Sequence, residues 1–222
     1  MNMVFASLRH WLGGARRRDV SGSAAGRWVV IDTETSGLDS TRDKLLAIGG
    51  VAVDDDGIRV GDSFEIVLRN DAPCAAENIV VHGIGHQAQA QGTPEPATLA
   101  AFREWAAGAP RVGFHVDFDR EVLRNACHRA GMPPDDDGPW LDLAPLAAAL
   151  APEARKRGGG SLDDWLSVFG IECSLRHNAA ADALATAELL LLLRAIAAPQ
   201  GQAVFSALVR TARQQKWLGS ST

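Results

Sequence analysis

Tyrosine is absent from this 222-residue chain, and lysine and cysteine each occur three times. The cysteines Cys74, Cys127 and Cys173 are far apart with no C-x-x-C pair, which excludes a disulfide framework or a cysteine-based zinc site. Scattered thiols of this kind fit a reducing cytoplasm, and a cytoplasmic location is the expectation. Lysine is confined to Lys44, Lys156 and Lys216, so arginine supplies the remaining basic side chains. A net charge of −5 argues against a generally basic nucleic-acid coat. It does not exclude work on phosphates if some of the acids hold cations. No apolar run is long enough for a membrane span: the longest leucine run, Leu189 to Leu193, is bounded by Glu188 and Arg194. Nor is there a secretory signal, because Arg16, Arg17 and Arg18 follow the apolar residues near the start instead of preceding a long apolar core. The glycine-rich stretch Arg157-Gly158-Gly159-Gly160-Ser161 lacks the lysine of a phosphate-binding loop. It reads as a loop ending in the helix cap Ser161, with Asp164 completing a capping box.

What is present suits one α/β domain. Residues 1–26 read as a flexible basic arm, 27–198 as the globular domain and 199–222 as a helical tail. The arm is a short amphipathic stretch, a basic triplet and a Gly/Ser/Ala linker, and either it or the tail offers a surface for a protein partner. The run RWVVIDTE suits a strand buried on both faces. Strands over 44–53 and 62–68 follow, with Asp54-Asp55-Asp56-Gly57 as a hairpin turn. A Pro-rich loop leads to a helix over 97–108, a strand over 111–115 and a helix over 118–130. The acidic run Asp135-Asp136-Asp137-Gly138 is a loop. Further helices fall at 142–151, 161–169, 179–197 and 202–217. Hairpin strands followed by strand–helix alternation give a mixed sheet flanked by helices.

Four acids and one histidine carry the chemistry. Asp32 and Glu34 are two apart on a strand, so they share a face, and they lie at its C-terminal end, where α/β sheets place ligands. Such a pair repels unless protonated or bridged by hard cations. Asp119 stands at helical spacing with Val122, Leu123 and Ala126, and Asp182 with Ala185, Leu189 and Leu193. Both acids therefore fall on inward stripes, where an unpaired carboxylate is costly. His177 precedes the second of these helices, which Asn178 can cap. It approaches the site from outside as a candidate base. Asp117 reads as the cap of the first helix, and Phe114 or Phe118 offers a ring for a base to stack on.

DTETSGLD, the F-D of GFHVDFD, and H-N-x-x-x-D in RHNAAADALATAEL resemble the three motifs of the DEDDh (DnaQ-like) 3′–5′ exonucleases. That family includes the proofreading epsilon subunit of bacterial DNA polymerase III, ribonuclease T and oligoribonuclease. Val81-His82-Gly83-Ile84 also resembles a stretch common in epsilon-like members. The likeness covers about residues 27–197, and one departure is Phe114-His115 where many members have His-Asn. The resemblance implies a ribonuclease H-like α/β fold with a mixed five-stranded sheet. It implies two divalent ions, Mg²⁺ or Mn²⁺, with Asp32 bridging both, Glu34 and Asp182 completing one site, and Asp119 serving the other through water. His177 is then the general base. The resemblance also implies that the backbone at Thr33 and Thr35, together with His82, lies near the terminal nucleotide; Arg176, next to His177, reads either as a phosphate contact or as an exposed unpaired arginine. The implied reaction releases 5′-mononucleotides from single-stranded DNA 3′ ends, in proofreading or repair. An RNA-trimming exoribonuclease is the alternative, and a non-catalytic nucleic-acid-binding module the more distant one.

Overall fold

The structure, a computed structural model, describes residues 26–71, 76–134, 138–155 and 160–219. The expectations for the arm, for Asp135 to Asp137, and for Arg157 to Gly159 lie outside these residues. A hairpin meander opens the domain: β1 (Trp28–Thr35), β2 (Leu45–Asp54) and β3 (Gly57–Val67), all antiparallel. The turn at Asp54 to Gly57 is the expected hairpin, closed by the Asp56 amide donating to the Asp54 carboxylate at 2.9 Å and by Gly57 in a positive-φ conformation. The segment expected to be only a loop contains α1 (Ala76–His82) and α2 (His86–Ala90). Both are short, and neither shows a run of helical periodicity long enough to read. Then come α3 (Glu95–Ala106), β4 (Arg111–Gly113), α4 (Val116–Arg129), β5 (Trp140–Asp142) and α5 (Leu143–Leu150). The chain continues through α6 (Pro152–Arg155), α7 (Leu162–Phe169), α8 (Ala179–Ala197) and α9 (Phe205–Gly219).

The sheet order is β3-β2-β1-β4-β5, with β4 and β5 parallel to β1. This is the expected mixed five-stranded sheet. Alternation along β1 divides the core. Val29 and Ile31 pack with Phe102, Val122 and Leu123 of α3 and α4. Trp28 and Val30 face Leu146, Trp165, Leu189 and Leu208 of α5, α7, α8 and α9. The tail helix thus contributes Leu208 and Ala212 to the core, while Val204 and Trp217 stay exposed. Among the described residues no helix is long and apolar enough to cross a membrane.

Two features of this frame position the functional end of β1. First, β4 pairs with β1 only at Val29 and Val30, so the chain leaves β4 and enters α4 alongside the last residues of β1. Second, Gly49 of β2 is the cross-strand partner of Asp32. A methyl group built on Gly49 would lie 2.1–2.4 Å from backbone atoms of Ala179 and Ala180. The missing side chain lets the start of α8 rest directly on the sheet next to Asp32.

Gly49→Ala is expected to destabilise the protein by about 3 kcal/mol, the upper end of overpacking costs, because the obstacle is backbone. Gly160→Ala, where nothing lies within 4 Å of the added carbon, should stay within about 0.5 kcal/mol of the parent. Urea unfolding of both variants checks the pair, and equal effects would remove Gly49 from this role.

Candidate active site

Asp32 and Glu34 point to the α8 face of β1, and α8 delivers Asp182 to them. The helix starts where it does because the Asn178 side chain caps it, accepting the Ala181 amide at 3.0 Å. One turn later Asp182 is 4% exposed. Among the described residues, the carboxylate oxygens of Asp32, Glu34 and Asp182 lie within 4.8 Å of one another. That spacing and all-oxygen chemistry fit a hard divalent cation.

Asp119 arrives from the other side of the sheet. Both inward-facing acids are buried as their helical spacing implied, Asp119 at 6% exposure. Asp119 does not join the three-acid cluster, however. Thr33, which alternates to the opposite face of β1 from its neighbours, donates its hydroxyl to Asp119 Oδ1 at 2.7 Å. Asp119 is nevertheless close enough to oppose ionisation of Asp32.

The electrostatics are those of crowded acids. Burial pushes Asp32 well above the usual carboxylate range, and the charges of Asp119, Asp182 and Glu34 push it further, with Arg176 opposing. Glu34 is raised to about 7, first by burial and then by Asp182. Asp119 is also raised to about 7 by burial, although the Thr33 hydrogen bonds pull the other way.

His177 is exposed, sits just before the Asn178 cap and adopts a left-handed backbone with φ 61°. Its amide donates to Asp182 Oδ2 at 2.9 Å, which fixes the backbone and leaves the imidazole projecting from the helix start. Arg176, expected near a phosphate, instead pairs with Asp163 and Asp182. Thr35 donates its hydroxyl to the Gly37 carbonyl at 2.5 Å. His82 is buried at the end of α1, with Nδ1 accepting the Ile84 amide at 3.0 Å, and burial lowers its pKa.

Two expectations around α4 change. Asp117 is not its cap: the helix begins at Val116, and the cap position is His115, in a left-handed conformation with φ 58°. Asp117 lies in the first turn and pairs with Lys216 of α9. The physical reason is that β4 stops at Gly113, so the helix begins before Asp117 is reached. The His115 departure from the family pattern also gains a backbone account, since histidine, like asparagine, tolerates φ above zero better than most residues. Asp142 was missed by sequence reasoning. It accepts the His115 and Ala144 amides, each at 3.0 Å, and its charge contributes to raising Asp119. An acid ending a three-residue strand carries no periodic signal. Only its cap position before Leu143 was available.

The Exonuclease family model of the ribonuclease T type matches residues 29–190. The chain belongs to this exonuclease family. Its relatives include a DNA polymerase III subunit epsilon-like protein of Rhodobacter capsulatus, 31% identical over 190 residues, covering 84% of this chain and 26% of that protein. A DNA polymerase III PolC-type of Lacticaseibacillus paracasei is 31% identical over 175 residues, covering 79% of this chain and 12% of that protein. The chain therefore spans only about a quarter of the one protein's length and about an eighth of the other's. E. coli exonuclease I in complex with a dT13 oligonucleotide superposes with a TM-score of 0.68 at 22% identity, covering 79% of this chain and 42% of that one. That likeness shows the ribonuclease H-like fold. Its exonuclease-family domain is similar in sequence to the DNA polymerase III epsilon-like protein.

The raised carboxyls set a pH dependence. A carboxyl with a higher pKa folded than unfolded binds more protons in the folded state, so its contribution is present at low pH and is lost as pH rises through about 7. Without metal, the melting temperature should fall between pH 5 and pH 8, and Mg²⁺ or Mn²⁺ should restore it at pH 8. Asp119→Asn, which keeps an acceptor for Thr33, should melt at least about 2 °C above the parent at pH 8 without metal, the shift that about 1 kcal/mol gives a chain this size, and above it by a smaller margin at pH 5. Scanning calorimetry across this range is the check; a melting temperature that rises with pH would contradict it.

Proposed function

We propose that this protein is a metal-dependent 3′–5′ exonuclease that releases 5′-mononucleotides from single-stranded DNA ends, in proofreading or repair. The observation that carries the reading is the convergence of Asp32, Glu34 and Asp182 within 4.8 Å, with an exposed histidine at the start of the helix that brings the third acid. Two divalent ions, Mg²⁺ or Mn²⁺, held by Asp32, Glu34 and Asp182 with Asp119 beside them, would supply charge neutralisation at the scissile phosphate and a more acidic water.

The protein's own groups do the rest. His177 takes the proton of the attacking water. Its exposure leaves the imidazole able to exchange that proton with solvent, and imidazole is the side chain suited to accepting a proton in general base catalysis. Thr33 holds Asp119 in place through its side chain, so its contribution to the strand comes from the backbone, as does that of Thr35. His82 accepts the Ile84 amide through Nδ1, which orders the chain at the end of α1. Next to Asp119 in sequence, the half-buried Phe118 lines a cavity of about 510 Å³ together with His115 and Asp142. Its ring is the one on which an unpaired base could stack without sequence preference. Partner proteins of the polymerase class fit the named relatives, and the exposed Val204 and Trp217 of the tail are available for contact.

DNA is favoured over RNA because the relatives are DNA polymerase III components and the exonuclease I neighbour is bound to oligothymidylate. Matched 5′-labelled DNA and RNA oligonucleotides incubated with Mg²⁺ or Mn²⁺ test this. DNA should shorten stepwise from its 3′ end and faster than RNA. Asp32→Ala should abolish the ladder, and His177→Ala should lower kcat by about 10²–10⁴. Immediate release of the labelled nucleotide would reverse the direction, and full activity in His177→Ala would remove it as the base.

A further inference from the structure

Arg176 makes two separate contacts: its Nε meets Asp163 Oδ1 on α7, and its Nη1 meets Asp182 Oδ1 on α8. The other Asp182 oxygen already accepts the His177 amide at 2.9 Å. A guanidinium thus sits on the Asp182 oxygen that this amide does not use, where the Cys173 thiol also approaches at 3.5 Å, and so competes there with a metal ion. We propose that Arg176 is a built-in counter-ion for the acidic site: it holds Asp182 while no divalent ion is bound, yields that oxygen when one binds, and then turns toward a phosphate of the nucleic-acid strand. The inference rests on reading Asp32, Glu34 and Asp182 as metal ligands.

Three observations support the exchange. A guanidinium and a divalent cation crowded onto one carboxylate oxygen repel each other, so the two compete. The positive charge of Arg176 is felt by Asp32 and Glu34 as well as by Asp182, which places it where an ion's charge would act. The arginine also has somewhere to go. Its side chain is 24% exposed, and Asp163, 60% exposed, tethers it through a different nitrogen from the one on Asp182. A planar fork tethered at one corner keeps further N–H donors for a phosphate, which a lysine at this position would present only as a point charge. Metal loading and strand binding are then coupled through one side chain: the ion frees the donor that the phosphate uses.

A residue that merely orients Asp182 predicts the opposite sign, because losing it would disorder a ligand and weaken metal binding. Calorimetric titration of the full chain with Mn²⁺, without nucleic acid, separates the two. Arg176→Ala should bind Mn²⁺ about tenfold more tightly than the parent and melt at a lower temperature when metal-free. Arg176→Lys, which keeps a cation near Asp182, should stay close to the parent in Mn²⁺ affinity. In saturating Mn²⁺, Arg176→Ala should bind a 3′-phosphorothioate oligothymidylate about tenfold more weakly. Should Arg176→Ala fail to fold, Arg176→Gln carries the same comparison. Unchanged or weaker Mn²⁺ binding in the neutral variant overturns the counter-ion role alone. A parent chain that binds no Mn²⁺ overturns the metal reading and this inference with it.

Discussion

Like-charge repulsion at the end of β1 is the constraint around which this domain is arranged. Asp119, Asp182 and Glu34 are all held close enough to Asp32 for their charges to oppose its ionisation. None of them gains stability from that crowding. They are kept there by apolar contacts elsewhere: Val122, Leu123 and Ala126 seat α4 on one face of the sheet, and Ala185, Leu189 and Leu193 seat α8 on the other. The hydrophobic core works here as a clamp on charges that would otherwise separate, which is how a site can be poised for cations before any arrive.

Much of this was legible in the sequence because the site borrows the periods of ordinary secondary structure. An acid interrupting an apolar stripe is visible at Asp119 and Asp182, and both are buried. The caps at Ser161 and Asn178 could be read from residue type and position, and each forms as expected. The elements that escaped are those too short to show a period: β5 with three residues, and α1, α2 and α6. Helical spacing also says that an acid points inward without saying from which side of the sheet. Asp119, set apart from the other three acids as the expected holder of a second ion, is held by Thr33 on the opposite face of β1.

The basic side chains were the least legible part. Arg176 beside a histidine suggests a phosphate contact, yet its partners are Asp163 and Asp182, 13 and 6 positions away. Lys216 reaches Asp117 across 99 positions and ties the last helix to the start of α4. Ion pairs of this range follow from how α7, α8 and α9 are stacked, and no local pattern announces them. The tail helix likewise has two aspects, with Leu208 in the core and Trp217 in solvent. Composition alone left both aspects open.

Gly49 has a consequence for anyone wishing to move this chemistry elsewhere. The four acids look like a portable cassette: two on a strand and one on each of two helices. Yet the distance from Asp182 to Asp32 is set by a hydrogen atom on a neighbouring strand, where a methyl group would already strike the helix backbone. A graft that copied the acids onto another sheet and left a larger residue opposite Asp32 would reproduce the composition of the site but hold its third ligand too far away. The unit of transfer is the pair of touching backbones, with the carboxylates as its cargo.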